Sequence, residues 1–363
     1  MTKQNIFITG GAGYVGVMLL DVFARRENIE KIIYLDKVAM SENDSKLIEA
    51  HPNKDKFIFI EENLCENTWP EKVKYFEPSV VIHTAWQIRE IYGDRPLSWK
   101  WNIDGSNNLF DFCFSNNFVK RLVYFSTVAS YGAFVDNSLD YRFVESDLFR
   151  KTNYLYAEEK RIVEQNLENK YKEYKEKQAA LNNAENICVS ILRPAAITGP
   201  RGRYERIRFG LQSALSGSIN GGFYTLVRTM TKVVPATKKW VRQYIHEDDV
   251  VGIVSLLAFD EKVKHGYEVF NICPPGAAVL APDMAKAVNK KMIIVPTLLV
   301  RMGFFTLWHL SKGKVPTAEG SWKGYSYPIV VDGSKITRMY NYIYGVESKK
   351  AFVENEGRYK VQS

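Results

Sequence analysis

At 363 residues the chain can bury a large core, either as one domain with an appended lobe or as two domains. Its 46% hydrophobic and 25% charged residues are ordinary for a soluble globular protein, which sets aside disordered and fibrous classes. The formal charge of +8 invites a nucleic-acid partner, but the lysines between Lys170 and Lys177 alternate with glutamates as on a solvated helix face, so no nucleic acid is expected; a mild positive field suits an anionic substrate instead.

The run Ile6-Phe7-Ile8 predicts a short strand, and Val17 to Phe23 carries apolar residues at helical spacing. Between them lies Thr9-Gly10-Gly11-Ala12-Gly13-Tyr14-Val15-Gly16. Gly10, Gly13 and Gly16 permit a sharp turn, close approach to a pyrophosphate and tight packing of the new helix, whose free N–H groups attract phosphate. A second apolar run, Lys31 to Asp36, ends in a carboxylate about 20 residues beyond Gly16. There it accepts bonds from an adenosine ribose and repels a 2′-phosphate, so NAD is expected over NADP, with Lys37 pulling the other way.

Further along, Lys56 to Ile60 predicts a strand, Glu71 to Phe76 a helix, and Ser79 to His83 a buried strand. Pro96 to Phe114 reads as a long helix and Arg121 to Phe125 as another strand. This alternation implies right-handed crossovers and a doubly wound α/β fold with a parallel sheet. Glu62-Asn63-Leu64, Thr84-Ala85-Trp86 and Ser126-Thr127 follow strands and so share the sheet edge where ligands bind. A helix from Asn153 to Lys177 precedes the strand Ile187 to Leu192, closed by Arg193-Pro194. The alternation lapses over 201–240, with a Gly/Ser-rich patch around Ser216 to Gly222. Arg242 to His246 is strand-like, Glu247-Asp248-Asp249 opens a helix, and Tyr267 to Asn271 is a further strand. Residues 1–200 are expected to form a nucleotide-binding domain whose sheet is completed by about 241–273, and 201–363 a smaller, interleaved C-terminal substrate lobe.

Within Met292 to Leu310, Pro296, Arg301 and His309 interrupt the apolar run and argue against a transmembrane helix. A buried helix, a lipophilic pocket wall and a membrane-surface helix stay open there, so membrane association through 296–310 is retained only as a minor expectation. Gly313 to Tyr327 reads as a mobile aromatic loop. Cys65, Cys113, Cys188 and Cys273 stand singly, so neither a metal cluster nor a disulfide framework is expected. No signal precedes the first strand, and a cytoplasmic location is expected.

Tyr156 and Lys160 fall at i and i+4 on one helix face. A phenol with an ordinary pKa of about 10 is a poor base at neutral pH, and a nearby cation favours its ionised form. Such a pair can take a proton from a substrate hydroxyl while hydride leaves the same carbon. With 21 tyrosines in the chain the spacing alone carries little weight, and Tyr154 lacks the lysine four residues on.

In order from about residue 5 to 273, the chain resembles an extended short-chain dehydrogenase/reductase of the NAD-dependent epimerase/dehydratase family. The matching motifs are Gly10 to Gly16, Asp36, His83-Thr84-Ala85, Asn102 with Gly105-Ser106, Ser126-Thr127 with Tyr131-Gly132, Tyr156 with Lys160, Arg193-Pro194 with Gly199-Pro200, and Arg242 through His246 to Asp249. The resemblance implies a Rossmann domain binding NAD. It makes Tyr156 the general acid/base, Lys160 its activator and the holder of the nicotinamide ribose, and Thr127 the hydroxyl that steadies the reacting oxygen. It places Tyr14 and Val15 over the pyrophosphate, Asn63 and Leu64 near adenine, and Thr84, Ala85, Ser126 and Ala195 along the cofactor, with Asn102 beneath the catalytic helix. His83 and His246 read as scaffold. Resembling enzymes form homodimers by pairing the helix after Asn102 with that of Tyr156, where Leu109, Phe110, Phe112, Cys113 and Ile162 would supply the contact.

The substrate implied is a nucleotide-sugar, with Trp86, Thr127 and Arg242 as its contacts, and the reaction an epimerisation through transient hydride transfer. Three departures qualify this. Asn63 stands in place of the more usual aspartate, Trp86 in place of a small residue, and Ala196 in place of an asparagine that touches substrate in sugar-nucleotide enzymes. Val128-Ala129 lacks the Asp-Glu pair of the resembling 4,6-dehydratases. A net dehydrogenase of an apolar alcohol or ketone is the second reading, drawn from Trp86, Ala196 and 296–310; a non-catalytic NAD sensor is the third.

Overall fold

β1 (Gln4–Thr9) is an interior strand of a seven-stranded parallel sheet, from which the chain builds outward in two directions. In the computed structural model, which describes residues 3–181, 187–202, 233–264, 266–287, 289–354 and 356–360, β2 (Ile29–Asp36) and β3 (Phe57–Glu61) lie to one side. The chain then crosses back, and β4 (Val80–His83), β5 (Arg121–Phe125), β6 (Cys188–Pro194) and β7 (Gly266–Ile272) extend the other side. Ile8 stands opposite both Tyr34 and Ile82, so the reversal of strand order falls between β1 and β4. A crevice opens at the carboxyl ends of the strands at such a reversal.

Every residue of β4 is buried, as parallel strands covered on both faces require. Alternation along β1 sends Ile6 and Ile8 to one core, with α1 (Tyr14–Ala24), and Phe7 to the other. The expected helix 96–114 is composite: α2 (Arg95–Trp99), a π-helical turn at Lys100–Asp104, and α3 (Gly105–Ser115). A π-turn is an extra residue in the ladder, and here it carries Asn102. α4 (Leu155–Ala180) packs beside α3.

Leu109, Phe110, Phe112 and Cys113 are buried beneath α3 against the sheet, and Ile162 packs against the same core. The apolar contact expected of them between two copies is therefore spent inside one chain. The outward seam of α3 and α4 is polar instead, with Asn166 Nδ2 donating to Asn107 Oδ1 at 3.2 Å and Lys170 paired with Asp111 at 2.5 Å.

Gln243 splits the expected strand 242–246 into Val241–Arg242 and Tyr244–His246, and α5 (Glu247–Phe259) starts where its three acids predict. A second, smaller core gathers Trp240, Tyr244, Val279, Met284 and Ala351. The Gly/Ser-rich patch at 216–222 lies outside the described residues. α6 (Thr297–Leu310) overturns the buried-helix reading, since only Val300 and Trp308 of its residues are buried. Within the expected aromatic loop, Ser321–Ser326 is helical. Tyr359 lies back on α1, its hydroxyl donating to Asp21 Oδ2 at 2.9 Å. Among the described residues no helix is long and apolar enough to cross a membrane.

Candidate active site

The glycine turn forms as its spacing predicts. Gly10 sits at φ +72°, and a Cβ there would stand 2.5 Å from the Ala85 nitrogen, so only glycine lets the loops after β1 and β4 meet. A Cβ on Gly16 would collide with the Gly10 carbonyl; Gly16 closes the packing of α1 from behind the cleft. Gly10 and Gly11 both donate to the Leu35 carbonyl, at 2.8 and 3.2 Å, and tie the turn to β2. The first N–H groups of α1, at Tyr14, Val15 and Gly16, have no partner within the helix.

From this turn a cleft of about 760 Å³ runs along the sheet edge. Asp36 lines one end and accepts from the Ala12 N–H at 3.2 Å; burial raises its carboxyl and that bond draws it back. Lys37, the neighbour that pulled against NAD, is engaged elsewhere: its Nζ donates to Gln87 Oε1 at 3.1 Å and lies 3.3 Å from the Trp101 ring centre. Asn63 and Leu64 line the same end, with Asn63 Oδ1 already accepting from Cys65 N at 3.2 Å. Thr84 and Ala85 line the middle; the Thr84 hydroxyl donates to the Thr9 carbonyl at 2.7 Å.

At the far end Thr127 and Tyr156 line the cleft together with Ala195, the Thr127 hydroxyl placed where a hydrogen bond to the phenol would favour its ionised form. Burial pushes the Tyr156 phenol above its ordinary value, and the Thr127 hydroxyl offsets part of that. Lys160 lies behind the wall: its ammonium donates to the Phe125 carbonyl and stacks 3.5 Å from the Trp86 ring centre and 4.9 Å from that of Tyr124. Burial holds that ammonium well below the usual lysine range, against the opposing pull of Glu164 and Glu159. Trp86, the departure noted in the sequence, thus covers the lysine expected to hold a ribose. Ser126 is buried, and its Oγ has no hydrogen-bond partner.

Asn102 is a clamp. Its Oδ1 accepts from Gln87 N at 2.7 Å, while its Nδ2 donates to Gln87 O at 3.1 Å and to Glu159 Oε2 at 2.7 Å. One side chain therefore fixes the loop carrying Trp86 to the helix carrying Lys160. His83 bridges Thr9 Oγ1 at 2.7 Å and Ser106 Oγ at 2.9 Å, and His246 Nδ1 accepts from Asp248 N at 3.2 Å, so both are scaffold.

Four residues were not read from the sequence as part of the site. Tyr154 also lines the cleft, its ring 5.8 Å from that of Tyr156, and burial raises its phenol while Arg242 lowers it. Gln87 and Glu90 line the loop after Trp86, with Glu90 Oε1 accepting from Arg95 at 2.7 Å. No motif signals these three. Glu247 accepts from the Tyr14 hydroxyl and from Arg201 N and Gly202 N at 3.1 Å each; its place between His246 and Asp249 was the available signal. Arg242 lines the cleft near Tyr154 and Tyr325, and Phe304, Leu307 and Trp308 of α6 wall that end.

A parallel sheet reversing at β1 and a glycine turn against it are the build of a dinucleotide-binding fold, and the profile of the NAD-dependent epimerase/dehydratase family matches residues 6–273. The chain belongs to that family. A dTDP-D-glucose 4,6-dehydratase of Dictyostelium discoideum is 26% identical over 280 residues, which is 73% of this chain and 58% of that protein's length. Among solved structures, a UDP-glucose 4-epimerase from Thermotoga maritima with UDP-glucose is similar at a TM-score of 0.68 and 20% identity, covering 96% of each chain. The Bordetella bronchiseptica enzyme WbmG with NAD and UDP gives 0.66 and 20%, over 96% of this chain and 92% of that one.

Proposed function

We propose that this protein binds NAD and epimerises a nucleotide-sugar, with Tyr156 as the acid/base. The observation that carries the reading is the placing of Thr127 and Tyr156 together in one cleft that starts at the glycine turn. The residues present suit the cofactor: Gly10, Gly13, Tyr14, Val15 and Asp36 line the cleft together, and the first N–H groups of α1 have no partner within the helix. When bound, NAD would supply a reversible hydride acceptor beside the sugar carbon. Tyr156 takes the proton from the hydroxyl on that carbon and gives it back, and Thr127 holds the same oxygen in line. Lys160 would serve the phenol and the ribose only if the Trp86 ring that covers it moved. Asn63, Leu64, Thr84, Ala85 and Ala195 would follow the cofactor, with Tyr14, Val15 and the glycines at its pyrophosphate. Trp86 and Arg242 would face the substrate, and the separate core around Trp240 supports reading the surrounding residues as an interleaved substrate lobe.

Val128 and Ala129 line the cleft and carry no proton-transfer group, which favours epimerisation over the dehydration named for the Dictyostelium relative. Incubation with UDP- and GDP-sugars, product analysis and reduced-nicotinamide absorbance test this together. Sugar conversion without accumulating NADH is the expected result. Stoichiometric NADH would make the protein a net dehydrogenase, and tight NAD binding without conversion a sensor.

Asp36 sets the cofactor expectation: NAD should bind at least about tenfold tighter than NADP, or about 1.4 kcal/mol. Asp36→Asn should narrow the ratio, and equal affinities in calorimetric titration of the parent chain would refute the assignment.

The homodimer belongs to the same proposal, with a different anchor. Trp99 is 41% exposed in a shallow groove with Pro96 and Leu155, beside the start of α4, and an exposed tryptophan between helices is a suitable hot spot for a two-fold contact. Light scattering at micromolar concentration should give the mass of two chains, falling to one in Trp99→Ala; a single-chain mass for the parent would refute it.

A further inference from the structure

α6 has two apolar faces. Phe304, Leu307 and Trp308 turn toward the cleft, whereas Leu298 (63% exposed), Met302 (57%), Phe305 (66%) and Leu310 (80%) turn outward. At 100° per residue the outward set falls within one arc of about 140°, the stripe of an amphipathic helix that stays exposed among the described residues. The preceding strand Lys291–Ile294 continues the patch, with Ile294 63% exposed.

The surroundings are basic. From Met284 to Ala318 the chain has six Lys and Arg residues and no Asp or Glu, in a molecule where acids are otherwise abundant. Lys291 flanks the helix before its start, and Lys312 and Lys314 flank it beyond its end, all three exposed. We propose that this protein docks on an anionic membrane surface through the outer face of the helix Thr297–Leu310. Apolar side chains would enter the acyl boundary while the flanking cations meet lipid phosphates, the division of labour of an interfacial helix. At 14 residues, about 21 Å, the helix lies on a bilayer and does not span it. A second copy is the poorer occupant: two-fold pairing sets the Lys291 end of one helix beside the Lys312 and Lys314 end of the other, like charge on like. Because the inner face of the same helix walls the cleft, docking would hold the cleft's substrate end at the lipid surface.

Co-sedimentation of the full chain tests this with vesicles of phosphatidylcholine alone and with about one third phosphatidylglycerol. The chain should sediment with the anionic vesicles, at least about tenfold less with the neutral ones, and be released by salt. Leu298→Asp/Met302→Asp/Phe305→Asp should lose binding about tenfold or more with an unchanged melting temperature, since all three side chains are exposed. Lys291→Glu/Lys312→Glu should weaken binding to the anionic vesicles. No sedimentation with anionic vesicles, equal sedimentation with both kinds, or full binding by the triple variant would each overturn the proposal. So would a two-chain mass that the triple variant reduces to one.

Discussion

Tyr156→Phe should keep NAD binding and lower turnover by about 10²-fold or more, the usual scale for losing a positioned proton-transfer group. The substitution removes only the hydroxyl and leaves the ring that lines the cleft wall. Thr127→Val should cost less, about 0.5–1.5 kcal/mol of one hydrogen bond, because it takes away a partner and not the proton carrier. Lys160→Met should impair both NAD binding and turnover if one ammonium serves ribose and phenol. The informative comparison is Tyr154→Phe, since Tyr154 shares the cleft and lies 5.8 Å from Tyr156 ring to ring. An inactive Tyr154→Phe beside an active Tyr156→Phe would move the acid/base to Tyr154 and remove Lys160 from the mechanism.

Arg193→Met should destabilise the fold by about 3–5 kcal/mol, the cost of leaving a buried charge without its partner. Arg193 ends β6 and donates to the Glu164 carboxylate, to the Tyr131 hydroxyl at 2.7 Å and to the Glu145 carbonyl at 3.1 Å, with both charged side chains almost wholly buried. Replacing both partners, as Arg193→Met/Glu164→Leu, should recover much of the loss, because no charge is then stranded. The exposed Lys46–Glu42 pair supplies the contrast, and Lys46→Met there should cost no more than about 0.5 kcal/mol. Urea unfolding midpoints measure all three, and an Arg193→Met midpoint within error of Lys46→Met would show the buried network to be dispensable.

The elements that place this cleft were legible because their signals are local. Gly10 needs its left-handed backbone within one turn of chain, Asp36 ends an apolar run, and Tyr156 precedes Lys160 by one helical turn. What the chain could not announce were partners brought from far away: Trp86 over Lys160, Glu247 beneath Tyr14, and Glu90 against Arg95. Direction was the other gap. Leu109 and Phe110 were read as free surface because composition marks them apolar without saying that their side of the helix meets the sheet. Over 297–310 the sequence left a buried helix, a pocket wall and a surface helix open, because composition does not say which faces are covered; the structure leaves the outer stripe open to solvent.

The bond between Tyr359 and Asp21 joins positions 338 residues apart. α1 emerges early in synthesis, yet that partner follows on the order of tens of seconds later at about 5–20 residues per second. β1 likewise must wait for β4, more than 70 residues downstream, before its second edge is paired. Until then the strand edge and the underside of α1 are apolar surfaces without cover, which is where a nascent chain of this topology is most exposed to aggregation and most in need of a chaperone.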